Sequence, residues 1–94
     1  MMDETALELE REECLDAAAH TYGGDWRERF KPGTFGAHEA VDRLHFFITT
    51  MEDFLINHPS VALDRPAFHA VYQAQELLAA AYQSLAVASE FEEK

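Results

Sequence analysis

The chain has 94 residues, 48% hydrophobic and 12% aromatic, which is the length of one domain with enough apolar side chain to fold. Eighteen Asp and Glu against seven Lys and Arg leave a net charge of −11 with His neutral. No apolar run approaches the roughly 18 residues of a membrane span. The opening MMDETALELEREE is acidic where a targeting peptide is basic, and the single cysteine, Cys14, excludes an intrachain disulfide and a Cys-cluster zinc site. A single helical domain, acidic and cytoplasmic, is expected.

The charge is uneven. Residues 1–25 carry eight acids and one base, residues 26–65 six acids and five bases, and residues 66–94 four acids and one base. Such a balance argues against duplex nucleic acid, which needs a basic stripe to neutralise phosphates, and against an anionic membrane. A small anion at a local basic patch stays open, because screening acts over roughly 8 Å at physiological salt.

The first helix is predicted over 6–22. Thr5-x-x-Glu8 forms a capping box, Asp3 and Glu4 suit the positive end of the helix dipole, and Gly23-Gly24 stops it. Its apolar set (Leu7, Leu9, Cys14, Leu15, then 17–19) is thin, so it needs a partner.

Residues 25–37, DWRERFKPGTFGA, predict a connector holding one helical turn. Asp25-x-x-Glu28 can cap that turn, Trp26 and Phe30 share a face, and Pro32-Gly33 end it.

The second helix is predicted over 37–57, started by Thr34 or Gly36. Ala37, Val41, Leu44, Ile48, Met51 and Leu55 step by four and three as a packed seam does. Ala40, Phe47 and Phe54 add a seven-residue stripe beside it, and Pro59 biases His58 out of the helix.

The third helix is predicted over 65–89, with Asp64 as N-cap and Pro66 in its first turn. Ala67, Val71, Ala74, Leu78, Ala81, Leu85 and Ala88 form its seam, small where the facing seam is large. The short link HPSVALD makes the two helices antiparallel neighbours, and EFEEK is a fraying tail. The expected architecture is all-α: an antiparallel helical hairpin with the first helix laid across it. Phe46, Phe68, Tyr72, Tyr82 and Trp26 lie off the seams, more ring surface than 94 residues can wrap, so a homo-oligomer is expected.

Three sets of residues carry candidate chemistry. His38, Asp42 and His45 share a helical face, as ligands of one cation or as an Asp–His hydrogen bond at a surface helix start. A single Asp-x-x-His falls short of a di-iron bundle, so no metal or cofactor is expected. Cys14 sits among glutamates that oppose a thiolate, and reads as structural. No nucleophile elbow, phosphate loop or dinucleotide fingerprint occurs, and no enzymatic activity is expected.

The connector is the third set. Arg27, Arg29 and Lys31 are three of the seven bases, packed into five positions and interleaved with Trp26 and Phe30. Gly33, Thr34 and Gly36 follow at a helix N-terminus, where free N–H groups point outward. Cations, flat rings, a hydroxyl and a helix start suit a phosphorylated nucleotide. The plainer alternative has Arg27 and Arg29 pair with the acidic first helix and hold it to the bundle.

Phe30-x-Pro32 before the second helix, a short turn bearing Arg65, and AVYQAQELLAAAYQSLA over 70–86, with Glu76, Ala81, Ser84 and Ala86 in suitable places, carry a family resemblance. Over residues 30–88 the chain resembles the helical-hairpin family of phage anti-defence sponges for cyclic oligonucleotide signals, the anti-CBASS and anti-Thoeris proteins. Gln73 and Gln75 stand where that pattern has a basic residue and an acidic pair. The resemblance implies a non-enzymatic binder in the host cytoplasm, built from dimers into a higher oligomer, with cyclic di- or trinucleotides held between subunits. It implies Phe30 for base stacking and Lys31 and Arg65 for phosphate; Thr34 and His38 join the candidate set from position alone. A second expectation is an acidic protein–protein inhibitor, of anti-CRISPR or antitoxin type, whose first helix blocks a basic partner surface. A metal-dependent hydrolase at His38, Asp42 and His45 ranks third.

Overall fold

The computed structural model describes the backbone of residues 2–93 and the side chains of residues 2–88. Among the described residues all regular structure is helical: α1 (Glu4–Tyr22), α2 (Trp26–Phe30), α3 (Phe35–Met51) continued by a π-helical turn (Glu52–Ile56), α4 (Pro59–Leu63) and α5 (Arg65–Glu93).

The first helix starts two residues earlier than its capping box implies. Asp3, in extended conformation, accepts a hydrogen bond from the Ala6 N–H at 2.8 Å, and Thr5 lies inside the helix. A carboxylate in that position satisfies an orphan donor and also meets the positive end of the dipole, which a threonine hydroxyl does not. Gly23, at φ 93°, ends α1 and returns its N–H to the Ala19 carbonyl. No residue of α1 is buried, and among the elements it packs only on α2. The expectation that it lies across the other two helices is therefore corrected: its apolar residues are too scattered to form one face.

The extensive packing is between α3 and α5. On α3 the seam holds where it was read: Ala37 and Val41 are buried, and Leu44, Ile48 and Met51 are half-buried. It fails at Leu55, which is 42% exposed, while Ile56 is half-buried. The cause is the π turn, in which the Asn57 N–H reaches five residues back to the Glu52 carbonyl at 3.2 Å. Each such bond adds one residue to the turn, so the inward position moves on by one.

The facing seam slips as well. On α5 the half-buried residues are Ala67, Phe68, Val71, Gln75, Leu78, Ala79, Tyr82, Ala86 and Ala88; of the expected seam Ala67, Val71, Leu78 and Ala88 hold, while Ala74, Ala81 and Leu85 are exposed. At 100° per residue 75, 82 and 86 lie about 20–60° to one side of Val71 and 74, 81 and 85 about 40–80° to the other, and it is the first set that faces α3. Alanine therefore does not dominate the contact; Gln75 and Tyr82 enter it.

Gln75 supplies the polar link of this interface. Its Nε2 donates to the Ile48 carbonyl at 3.1 Å and to Glu52 Oε2 at 3.2 Å. The Ile48 carbonyl also accepts the Glu52 N–H, so it serves two donors just where the π turn begins. A side chain that takes a share of a helical carbonyl loosens the ladder there. Farther along, the His45 and Tyr82 rings lie 6.0 Å apart.

The link is more ordered than a bare turn. His58 is extended, and its Nδ1 accepts the Ser60 N–H at 3.0 Å. Pro59 keeps His58 out of the preceding helix as expected, and it also opens α4, as its fixed φ allows at a first position. Asp64 then caps α5, accepting the Ala67 N–H at 3.2 Å. The tail expected to fray is helical through Glu93; Lys94 lies outside the described residues.

Little of this surface is covered. The chain exposes 7525 Å², against about 5,500 Å² for a folded monomer of its mass. The radius of gyration is 16.3 Å, where about 12 Å is usual for this length.

Gln75→Ala is expected to destabilise the chain by about 1–2 kcal/mol, because the Ile48 and Glu52 acceptors lose a donor in a half-buried setting. Gln73→Ala, at an exposed position, is expected to stay within about 0.5 kcal/mol. Urea unfolding followed by circular dichroism measures both.

Candidate functional site in the connector

The connector is built by short-range bonds. The Trp26 N–H reaches the Gly23 carbonyl at 3.3 Å and the Glu28 N–H reaches the Asp25 carbonyl at 3.1 Å, which starts α2 without a side-chain cap. Asp25 is engaged elsewhere, 3.6 Å from Arg29 Nε. Arg29 also donates through Nη2 to the Tyr22 carbonyl at the end of α1, and its guanidinium stands 5.7 Å from the Tyr22 ring. Phe30 meets that same ring at 4.9 Å, tilted by 60°. Arg29 and the Tyr22–Phe30 pair thus clamp α2 to the C-terminus of α1, where the dipole favours a cation.

The other side of Phe30 rests on α3. A Cβ placed on Gly36 would lie 2.5 Å from Phe30 Cδ1 and 2.7 Å from the Arg29 carbonyl oxygen. Only hydrogen fits there. Gly36 is therefore a docking position for α2 rather than the helix start, a role taken by Thr34. The Thr34 hydroxyl donates to the Lys31 carbonyl at 2.7 Å and accepts the Ala37 N–H at 3.3 Å.

These bonds sort the candidate residues. Trp26, Arg27, Phe30 and Lys31 come together: with Leu15 and Pro32 they line an open groove of about 260 Å³. The Arg27 guanidinium lies over the Trp26 ring at 4.7 Å, and Lys31 Nζ is 2.9 Å from Glu28 Oε2. Arg29 turns away to Asp25 and Tyr22. Thr34 spends its hydroxyl on the cap, and His38 sits exposed in the first turn of α3. Arg65 opens α5, beyond the far end of α3; at 1.5 Å per residue the 17 residues of α3 alone put about 25 Å between that end and Thr34. Within one chain Arg65 does not join the groove.

The plainer reading of the bases is half right. Arg29 does hold α1, through a carbonyl and a ring rather than through the acids of that helix. Those acids stay in solvent, and Glu8 pairs within α1 with Arg11 at 2.8 Å. The hydrogen bond from Arg11 holds the Glu8 carboxyl below its ordinary range, and the same bond raises Arg11. Both side chains are exposed.

Sequence reasoning missed Tyr22, Leu15 and Pro32. Leu15 and Tyr22 are seven residues apart on one face of α1, just before the Gly-Gly turn that folds the chain back; that spacing was the available signal. Elsewhere, His45 meets the Tyr82 ring, and among the described residues no three His, Cys, Asp or Glu side chains converge as a cation would require. Cys14, read as structural, is exposed on α1. No helix among the described residues is long and apolar enough to cross a membrane. No family model, curated protein or solved structure matches the chain.

Gly36→Ala tests how this site is held. Helix propensity alone favours alanine by about 1 kcal/mol. The clash with Phe30 and the Arg29 carbonyl reverses the sign, for an expected net loss of about 1–3 kcal/mol. Fluorescence of Trp26, the sole tryptophan, should shift red as the groove opens. A stabilised variant with an unchanged spectrum contradicts the docking of α2 on α3.

Proposed function

We propose that the chain is a non-enzymatic binding protein that sequesters a phosphorylated nucleotide, a cyclic nucleotide signal by preference, in pockets completed between copies of an antiparallel helical hairpin. The observation that carries this reading is the groove in which Arg27 and Lys31 stand beside Trp26 and Phe30. Cations answer phosphate and flat rings answer bases. Its volume, about 260 Å³, falls below the roughly 300–1,000 Å³ of pockets for drug-sized ligands, so one chain supplies part of a pocket. The Lys31–Glu28 pair is exposed on both sides, and such pairs contribute at most about 1 kcal/mol, so a phosphate displaces the carboxylate at small cost.

The antiparallel hairpin rests on the positions that meet: His45 with Tyr82, and Ile48 and Glu52 with Gln75, run in opposite senses along the chain.

A second reading has its own support. α1 holds Glu4, Glu8, Glu10, Glu12, Glu13 and Asp16 in solvent and packs only on α2, which suits an acidic arm that covers a basic surface of another protein.

Calorimetry with a panel of cyclic di- and trinucleotides at micromolar protein separates the two. Under the first reading the chain gives heat with at least one panel member, and that member is recovered intact by chromatography. Arg27→Ala and Lys31→Ala each weaken it about tenfold or more, whereas reversing Glu8, Glu10, Glu12 and Glu13 to lysine leaves it unchanged. Silence from the whole panel removes this reading.

A further inference from the structure

The two rings of the connector groove are not equally available. Phe30 is engaged on two sides. Its ring centre lies 4.9 Å from that of Tyr22, and its Cδ1–Cε1 edge packs on the Gly36 backbone, where a Cβ would fall 2.5 and 2.9 Å from those carbons. A base laid on Phe30 has to displace the Tyr22 ring or lift α2 from α3. Trp26 is half-buried in the groove wall, and no other ring among the described residues meets it. The guanidinium of Arg27 lies over it, 4.7 Å from the ring centre. Arg27 is exposed and makes no ion pair among the described residues. A cation–π contact at an exposed site is weaker than the stacking of a base on a ring. The indole is therefore covered by a neighbour that a base can push aside.

We propose that Trp26 is the single base platform of each chain, that a nucleobase enters between its indole and the Arg27 guanidinium, and that Phe30 serves the fold. This rests on the nucleotide-binding reading above and narrows it: one chain takes one base, and takes it by size. A guanidinium is planar, weakly hydrated and stacks on flat rings, so Arg27 moves outward and closes on the far face of the base. Lys31, four residues on, lies on the same side of the turn, which sets an ammonium beside the phosphate of a base so held. The groove is lined by Leu15, Pro32, two rings and two cations, with no amide, hydroxyl or carboxylate side chain to read a base edge. Stacking area alone then discriminates, and the bicyclic purines cover more of the indole than pyrimidines do.

Trp26 is the sole tryptophan, so its emission reports the contact directly. The full chain at micromolar concentration is titrated with the purine and the pyrimidine members of the cyclic di- and trinucleotide panel and with ribose 5-phosphate, calorimetry running in parallel. A purine member is expected to quench Trp26 and to bind about fivefold or more tighter than its pyrimidine counterpart. Ribose 5-phosphate, which has no base, leaves the emission unchanged. Trp26→Leu should weaken the purine ligand about tenfold or more, and Trp26→Phe should recover most of that loss, with circular dichroism showing both variants folded. Arg27→Lys keeps the charge and loses the plane, and should still weaken binding about threefold or more. Heat without quenching, equal affinity for purine and pyrimidine, or Trp26→Leu at wild-type affinity overturns the platform and leaves the nucleotide reading standing. Full affinity in Arg27→Lys reduces Arg27 to a counter-charge and overturns the sandwich. Silence from every panel member removes the nucleotide reading, and the platform falls with it.

Discussion

The packing of α3 on α5 sets the position of everything else, and it is thin. Two side chains, Ala37 and Val41, are buried among the described residues. Burying a valine contributes about 1.5–3 kcal/mol, while ordering the backbone costs about 1–2 kcal/mol per residue. Half-buried rings and aliphatics widen the seam, and Gln75 pins its register through the Ile48 carbonyl. The seam still leaves Phe46, Phe47, Phe54, Leu63 and Leu77 mostly in water. A chain with this little interior leaves most of its large apolar side chains to be stabilised by partial burial along the seam.

The connector depends on that seam through one contact. Phe30 sits between the Tyr22 ring and the bare Cα of Gly36, so α2 is held from both sides by groups that reach it from α1 and α3. The sequence offers three bases in five positions; the fold divides them. Arg29 becomes structural at the end of α1, and Arg27 and Lys31 remain at the groove. With Asp25 and Glu28 beside them, the local excess is small. Under the proposed reading an anion would be held by short-range hydrogen bonds and ring faces, because a chain of this net charge does not steer anions from a distance.

The helical nature of the chain and most element limits were legible because periodicity, Pro66, Asp64 and the Gly-Gly stop act locally. What was not legible depended on partners distant in sequence. Gln75 reaches the Ile48 carbonyl just before the π turn from 27 residues away, and nothing near Leu55 announces that turn. The choice of Gln75 over Ala74 depends on which flank of α5 turns to α3, which the seven-residue pattern alone does not decide. In the sequence Thr5 reads as the cap and Asp3 only as a charge at the helix dipole, yet the Asp3 carboxylate takes the cap. Of the candidate site, residues inside one helical turn stayed together. Arg29, although in the same turn, left to bond the Tyr22 carbonyl, Thr34 left to cap α3, His38 stays outside the groove in the first turn of α3, and Arg65 lies a helix length away.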